Sequence, residues 1–437
     1  MFKVLKFGGS SMADANQYKK VKDIVLAESS RKVVVVSAAG KRFSGDNKIT
    51  DLLYLCYAHL QYGVCCDNIF EMISDRYIQI RNDLKLTTDI EAELEAIKAK
   101  MKKGITQDEL ASRGEYLSAL LLADYLGFKF VDATDWLTFK FDGSIDTEKS
   151  YSKLQNIPYE KGIVIPGFYG IMPNATIRVM TRGGSDITGA LAAAAFGADI
   201  YENWTDVSGV LMADPRIVDD PKPIKRITYD ELRELSCMGA QVLHPGTIFP
   251  VKKANIPLNI RNTNAPEDPG TIIMRHCDDT ENDANFITGI AGRNDFSIVT
   301  VSKHGLSTSV GFLRRAAEKF ERNGASIEYV SSDIDALSFV LPTESVHDKL
   351  YNIIADIENE LKPDKIDVTD NISIIAVVGR KMAFKPGTSG KLFAMLGQKG
   401  INIRMISQGP DERNIIVGTD NKDYEKTIRA IYDSFIK

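Results

Sequence analysis

Ile177-Arg178-Val179-Met180, Thr181-Arg182-Gly183-Gly184-Ser185-Asp186, Ile187–Gly197, Ile200–Trp204 and Thr205-Asp206-Val207-Ser208-Gly209-Val210, closing on Asp214-Pro215-Arg216, form the stretch that decides the fold. It reads as strand, glycine-rich turn, small-residue helix, strand and polar loop. That succession is half of an α/β nucleotide-binding layout. Paired glycines at a helix start let anionic oxygens approach backbone N–H groups, and Ser185 and Asp186 suit capping positions. The same pattern also fits a well-capped crossover helix with no ligand.

Upstream, Phe2–Phe7 reads as a strand stopped by Gly8-Gly9-Ser10-Ser11. Lys6 then stands at the carboxyl end of a parallel strand, where α/β proteins bind ligands. A lysine beside two glycines offers a polyphosphate a mobile point charge above backbone donors. The plainer alternative is an edge-strand lysine with its amine in water. Lys32–Val36 is a buried strand ending in Ser37-Ala38-Ala39-Gly40. From Thr50 to Lys103 the periodicity is helical, an excursion of the length of a lid or substrate-binding cap. Gln107–Leu126 is a further helix carrying Ser112-Arg113-Gly114-Glu115, whose glycine and glutamate could face a ligand, although a lone glutamate is usually a surface salt bridge. Downstream, Gly162–Ile165 is a strand entering Pro166-Gly167-Phe168-Tyr169-Gly170. Tyr229–Cys237 is a helix, and Leu258–Arg261 reads as the last strand of this part. Asn264 to Asn285 is polar and proline-marked, which sets a domain boundary there.

Beyond that boundary the chain repeats itself. Gly324-Ala-Ser-Ile327-Glu-Tyr-Val330-Ser331 matches Gly400-Ile-Asn-Ile403-Arg-Met-Ile406-Ser407 at an offset of 76 (400 against 324, 407 against 331). Each copy reads as helix–strand–strand–helix, a small α+β module. Gly387-Thr388-Ser389-Gly390-Lys391 lacks the spacer, the following Ser/Thr and the leading strand of a P-loop.

The remaining bounds exclude several classes. A chain of 437 residues is long enough for two or three domains of about 100–200 residues. The net charge of −5 argues against a nucleic-acid surface, and no apolar run approaches the length that spans a membrane. The start enters a strand at once, with no signal peptide, and five cysteines without a C-x-x-C pair fit a reducing, cytoplasmic setting. Five scattered histidines offer no metal site.

Lys6-Phe7-Gly8-Gly9-Ser10-Ser11, Ser37-Ala38, Ser112–Glu115, Gly167-Phe168, Arg182–Asp186, Thr205-Asp206-Val207, Asp214-Pro215-Arg216 and Val242-Leu243-His244-Pro245 stand in the order that resembles aspartokinases. The C-terminal repeat is similar to the tandem ACT modules of those enzymes, most clearly at Asn402–Gly409. The resemblance implies an amino-acid-kinase fold over 1–285, a largely parallel sheet sandwiched by helices. It implies two ACT modules over 286–437, about 296–370 and 371–437, with 286–295 available as a strand of the second.

The implied reaction is ATP-dependent phosphorylation of L-aspartate, with Mg2+ carried by the nucleotide and no structural metal. By resemblance Lys6, Asp186, Gly8 and Gly9 serve the chemical step. Arg182 pairs the α-carboxylate and Glu115 the ammonium, while Ser37, Thr50, Phe168, Gly183, Gly184 and Ser185 line the pocket. Lys6, Gly9, Ser10, Thr205, Asp206, Leu211, Arg216 and Gln241 hold the nucleotide. Gln241 stands where many relatives carry lysine, and Leu211 where an aromatic is common. A homodimer or dimer of dimers joined through the ACT modules is implied. So is an effector site at Leu306, Ser309, Gly311, Phe312, Leu313, Ser326, Ile327, Glu328 and Asp333, for which lysine suits the carboxylates. Another kinase of the same fold and an amino-acid sensor without catalysis are the competing readings.

Overall fold

The structure is a computed structural model of the chain and describes all residues except 181–182, 241–242, 244, 278–286, 381, 383–385, 410–412 and 437. The expected Arg182 and Gln241 lie outside the described residues. Two compact units emerge: Met1–Val210 with Pro223–Leu232 and Val242–Cys277, and Leu211–Lys222 with Arg233–Gln241 and Asp278–Lys437. Grouped by contacts, both units are discontinuous in sequence, and the expected nucleotide residues Leu211 and Arg216 fall in the second.

In the first unit β1 (Lys3–Phe7), β2 (Arg31–Val36), β3 (Lys129–Phe130) and β4 (Ile163–Pro166) precede a separate hairpin, β5 (Tyr169–Ile171) with β6 (Ile177–Val179). Then come β7 (Ile200–Thr205), β8 (Arg226–Thr228), β9 (Leu258–Asn262) and β10 (Thr271–Met274). The main sheet runs β3-β4-β2-β1-β7-β9-β10-β8. Every pair in it is parallel except β9 with β10. β2 reads Arg-Lys-Val-Val-Val-Val because a parallel central strand is covered on both faces and has no solvent side to alternate toward.

Two expectations fail here. Ile177–Val179 is a hairpin strand outside the main sheet. Leu258–Asn262 is not the last strand: the run Thr-Ile-Ile-Met at 271–274 is short, but β8 and β9 flank it and supply its pairing. The helical excursion packs on the sheet. The helices α1 (Ala15–Leu26), α2 (Ile49–Gln61), α3 (Asp67–Leu84), α4 (Ile90–Lys103) and α5 (Gln107–Leu126) share one apolar core with β1, β2 and β4. Phe70, Ile73, Tyr77 and Ile80 of α3 follow a helical period into that core. Short helices α6 (Ala133–Trp136) and α7 (Thr147–Gln155) follow, and then α8 (Gly184–Phe196), α9 (Tyr229–Cys237) and α10 (Pro245–Lys253).

The second unit is built on one antiparallel six-stranded sheet. Its strands are β11 (Ile287–Ser302), β12 (Tyr329–Ser332), β13 (Ala336–Pro342), β14 (Lys365–Gly379), β15 (Ile403–Ser407) and β16 (Asn414–Asp420), in the order β12-β13-β11-β14-β16-β15. Its helices are α11 (Phe312–Arg322), α12 (Thr343–Val346), α13 (Leu350–Leu361), α14 (Thr388–Gln398) and α15 (Tyr424–Phe435). α14 begins and ends 76 residues after α11 (388 against 312, 398 against 322), at the offset of the sequence repeat. The long strands β11 and β14 pair along most of their length, and residues 287–293 of β11 lie against 374–379 of β14. Two apolar clusters fill the unit. One is centred on Phe312, Phe320 and Phe339, the other on Ile375, Val417, Ile431 and Tyr432.

Candidate active site

Parallel register sets the centre of the site. Lys6 stands opposite Val35 of β2 and Asn203 of β7, one residue before the strand ends. Lys6 is 7% exposed, and its Nζ lies 2.6 Å from Asp186 Oδ1 in the first turn of α8. The lysine is thus a fixed charge, not the mobile one expected from the sequence. Asn203 Nδ2 donates to the same carboxylate oxygen at 3.1 Å, and Tyr201 Oη donates to the Asp186 carbonyl at 3.1 Å. Burial of an ammonium is tolerable only beside a carboxylate, and Asp186 supplies it. Gly8 lies against the amine: a side chain there would come within 3.5 Å of Lys6 Nζ.

The N-terminus of α8 departs from the expected capping. Gly183 is the N-cap with φ 79°, a left-handed conformation that favours glycine, and no side chain caps the helix. Ser185 is buried instead, and Asp186 is committed to Lys6. The first-turn amides of a helix without a side-chain cap, with the helix dipole, are an attractive surface for an anion. Beside them Phe168 also holds a positive φ, 81°. Its N–H donates to Thr188 Oγ1 at 3.1 Å, and its carbonyl accepts from Met180 N at 2.7 Å. A non-glycine residue in that region carries strain that the surrounding bonds must hold.

Three strand-end loops converge. Gly8 N donates to Trp204 O, Ser37 N to Phe7 O, and Gly167 N to Val36 O. Gly40 N donates to Gly9 O at 2.8 Å. A side chain on Gly40 would come within 2.6 Å of the Gly9 backbone, so only glycine allows this approach. Ser10 sits in a short 3-10 turn, Gly9–Met12, and Ser11 Oγ meets Thr263 Oγ1 at 2.8 Å.

Glu115 is the site's electrostatic anomaly. It is buried on α5, where the backbone amides of Ala38 and of Glu115 itself favour its charged form, and leaves Oε2 without a hydrogen-bond partner. Desolvation pushes its carboxyl up to about 8, against the pull of those amides, Lys6 and Arg113. A buried carboxylate oxygen with no donor is a place for an incoming cation. Thr50 lies in the first turn of α2.

The other expected residues are placed as follows. Thr205 Oγ1 donates to Asp206 Oδ1 at 3.1 Å at the end of β7. Arg216 is exposed and held bidentate by its own neighbour Asp214, so its charge is already matched. In the second unit Gly311, φ 75°, is the N-cap of α11, Phe312 is buried and Leu313 half exposed. Leu306 and Ser309 flank a 3-10 turn. Ile327 packs on the apolar cluster beside Ser326. Glu328 pairs with Arg293 at 3.3 Å, and Asp333 accepts from Ile334 N.

Sequence reasoning missed Asn203, Tyr201 and Tyr77, the last of which donates to Gly114 O at 2.7 Å behind Glu115. The signal for Asn203 was present: an amide on a buried strand, directly beside Lys6 in register.

Residues 1–262 match the amino acid kinase family, and residues 375–435 match an ACT domain. The chain is 34% identical to aspartokinase 3 of Bacillus subtilis, covering 99% of this chain and 98% of that one. The structure is similar to Clostridium acetobutylicum aspartate kinase, with TM-score 0.91, 45% identity and 99% of both chains covered. It is also similar to E. coli aspartokinase III solved with aspartate and ADP (R-state) and with lysine and aspartate (T-state). Each gives TM-score 0.77 and 25% identity over the full length of both chains. The fold is therefore an amino-acid-kinase sheet followed by ACT structure, and the chain belongs to the amino acid kinase family and, within it, to the aspartokinases.

Proposed function

We propose that this chain transfers the γ-phosphoryl group of ATP to the side-chain carboxylate of L-aspartate, giving 4-phospho-L-aspartate and ADP. The observation that carries the reading is the presence together of a buried Lys6, fixed by Asp186, and a buried carboxylate, Glu115, that has an oxygen to spare. One suits an anionic phosphoryl group, the other the ammonium of an amino acid. The acceptor carboxylate, with a pKa near 4, is already ionised, so no general base is needed. What the protein must supply is positioning of two anions and neutralisation of charge on the moving group. Lys6, the Gly8 and Gly9 backbone and the open amides of α8 supply it. Asp186 and Asn203 hold the lysine in place.

Ser37, Thr50, Phe168, Gly183, Gly184 and Ser185 line the aspartate side in this reading. Arg182, placed by its motif alone, takes the α-carboxylate. Ser10, Thr205 and Asp206 serve the nucleotide, with Leu211, Arg216 and Gln241 contributing by resemblance. Mg2+ arrives on the nucleotide phosphates. The donors around Lys6 are cationic or N–H groups, which fit the phosphate oxygens and leave the metal to them.

Residues 1–285 act as the catalytic domain and 286–437 as a regulatory one, a homodimer forming through the latter. An end-product amino acid, lysine, acts at the Ser309–Leu313 turn with Glu328 and Asp333. The lysine-bound relative and the ACT match support this. Reaction in the cytoplasm fits the soluble substrates. An assay of ADP release with L-aspartate against L-glutamate tests the reading; activity only with L-glutamate would reject it.

A further inference from the structure

We infer that Arg76 and Asp46, on α3 and on the loop before α2, are positioning residues that hold the loops ending β1 and β2 in register for phosphoryl transfer. The inference rests on the proposed aspartokinase reaction. Arg76 is 5% exposed and lies outside every motif that marks the site. Its guanidinium Nη1 donates to the carbonyls of Gly40 at 2.9 Å and Ala13 at 3.3 Å, and its Nη2 donates to Asp46 Oδ2 at 2.7 Å. Asp46 is itself buried and takes a second cation: Arg42 Nε at 2.8 Å, Arg42 Nη2 at 3.1 Å and the Arg42 amide at 3.0 Å.

One planar fork thus ties the segment after the Gly8-Gly9 loop to the end of the Ser37–Gly40 loop and to the chain leading into Thr50. The next residue of the same helix, Tyr77, donates to Gly114 O at 2.7 Å. Two consecutive residues of α3 therefore hold the carbonyls of Ala13, Gly40 and Gly114 together with the Asp46 carboxylate. Gly9 and Gly40, already in backbone contact, are the joint being held. Lysine cannot replace the fork, because its single nitrogen cannot take the places of both Nη1, which meets Gly40 and Ala13, and Nη2, which meets Asp46. Displacement of reacting groups by about 1 Å costs as much as 10²-fold in rate, so a distant clamp can act on turnover.

The test compares wild type, Arg76→Ala, Arg76→Lys and Asp46→Asn in the full chain. Arg76→Ala is expected to lower kcat by about tenfold or more while both KM values move less than about threefold. Arg76→Lys should not restore it. Millimolar guanidinium should, in part, because a cavity of about 400 Å3 lined by Arg42, Arg76 and Asp83 leads to the vacated position. Asp46→Asn, nearly isosteric, should lower kcat in the same sense and serves if Arg76→Ala does not fold. Amide hydrogen exchange of residues 38–48 should accelerate in both variants. Folded variants with wild-type kcat and exchange would overturn the inference. So would a loss that follows the folded fraction alone, with no gain from guanidinium. If wild type itself fails to phosphorylate aspartate, the proposed reaction falls, and the exchange measurement still decides whether the clamp exists.

Discussion

At the residue scale, Lys6 and Glu115 carry opposite predictions. Lys6→Ala removes the buried cation paired with Asp186, and kcat should fall by about 10²-fold, the scale seen when a single charge-stabilising donor is lost. Steady-state kinetics with a check on nucleotide binding would show it, binding being affected less. Glu115 makes a pH prediction. Its folded carboxyl is raised from an ordinary 4.5 to about 8, so between those values the folded state holds a proton that the unfolded state releases. Stability should therefore fall as pH rises from 4.5 to 8, and Glu115→Gln should flatten that slope in urea titrations. Aspartate binding should run the other way. Its ammonium needs the ionised carboxylate, so KM for aspartate should fall as pH approaches 8 in wild type and lose that trend in Glu115→Gln. Neither residue announced its environment in sequence. Glu115 reads as a surface glutamate until Ala38, Tyr77 and Lys6 are brought around it by chain segments tens of residues away.

At the scale of elements, the strands and helices were largely legible because their signals are local. Val33–Val36 can only be a covered strand, and Gln107–Leu126 shows its full helical extent in one run. β8 and β10 were not legible: each has three or four residues, and each exists because the other is beside it. The hairpin β5–β6 misled for a related reason, since a strand's sequence does not say which sheet it joins. The cap of α8 was misread because Ser185 and Asp186 are good capping residues, yet tertiary pairing with Lys6 claims Asp186 and burial claims Ser185. One element-level prediction concerns the contact of the two glycine loops. Gly40→Ala would place a methyl group 2.6 Å from the Gly9 backbone, where no flexible side chain can give way. A loss of about 1–3 kcal/mol is expected in denaturant unfolding, the scale of overpacking, with a fall in activity. Wild-type stability and turnover would mean that the loops separate at no cost.

At the scale of the whole molecule, the sequence repeat marked the second unit, and the offset of 76 appears again in α11 and α14. Its discontinuity was not legible: residues 211–222 join it through Tyr432 and Arg429, which bond Lys222 and Ile217, contacts more than 200 positions apart. Regulation should be visible as inhibition by lysine in wild type. Since Glu328 is paired with Arg293, an effector ammonium must compete with that guanidinium, and Glu328→Ala should weaken inhibition by several-fold or more. Inhibition by threonine alone, or an unchanged lysine response in Glu328→Ala, would place the effector elsewhere. An effector inhibits only by binding the less active arrangement better, so lysine should also lower affinity for aspartate at equilibrium.

The central claim is that a carboxylate of aspartate becomes a phosphoryl acceptor beside Lys6, and the most direct measurement is chemical trapping of the acyl phosphate with hydroxylamine. With ATP, Mg2+ and L-aspartate, wild type is predicted to yield aspartyl hydroxamate in step with ADP, little with L-glutamate, and Lys6→Ala to lose both products together. ADP release from wild type without hydroxamate, or equal hydroxamate from L-glutamate, would contradict it.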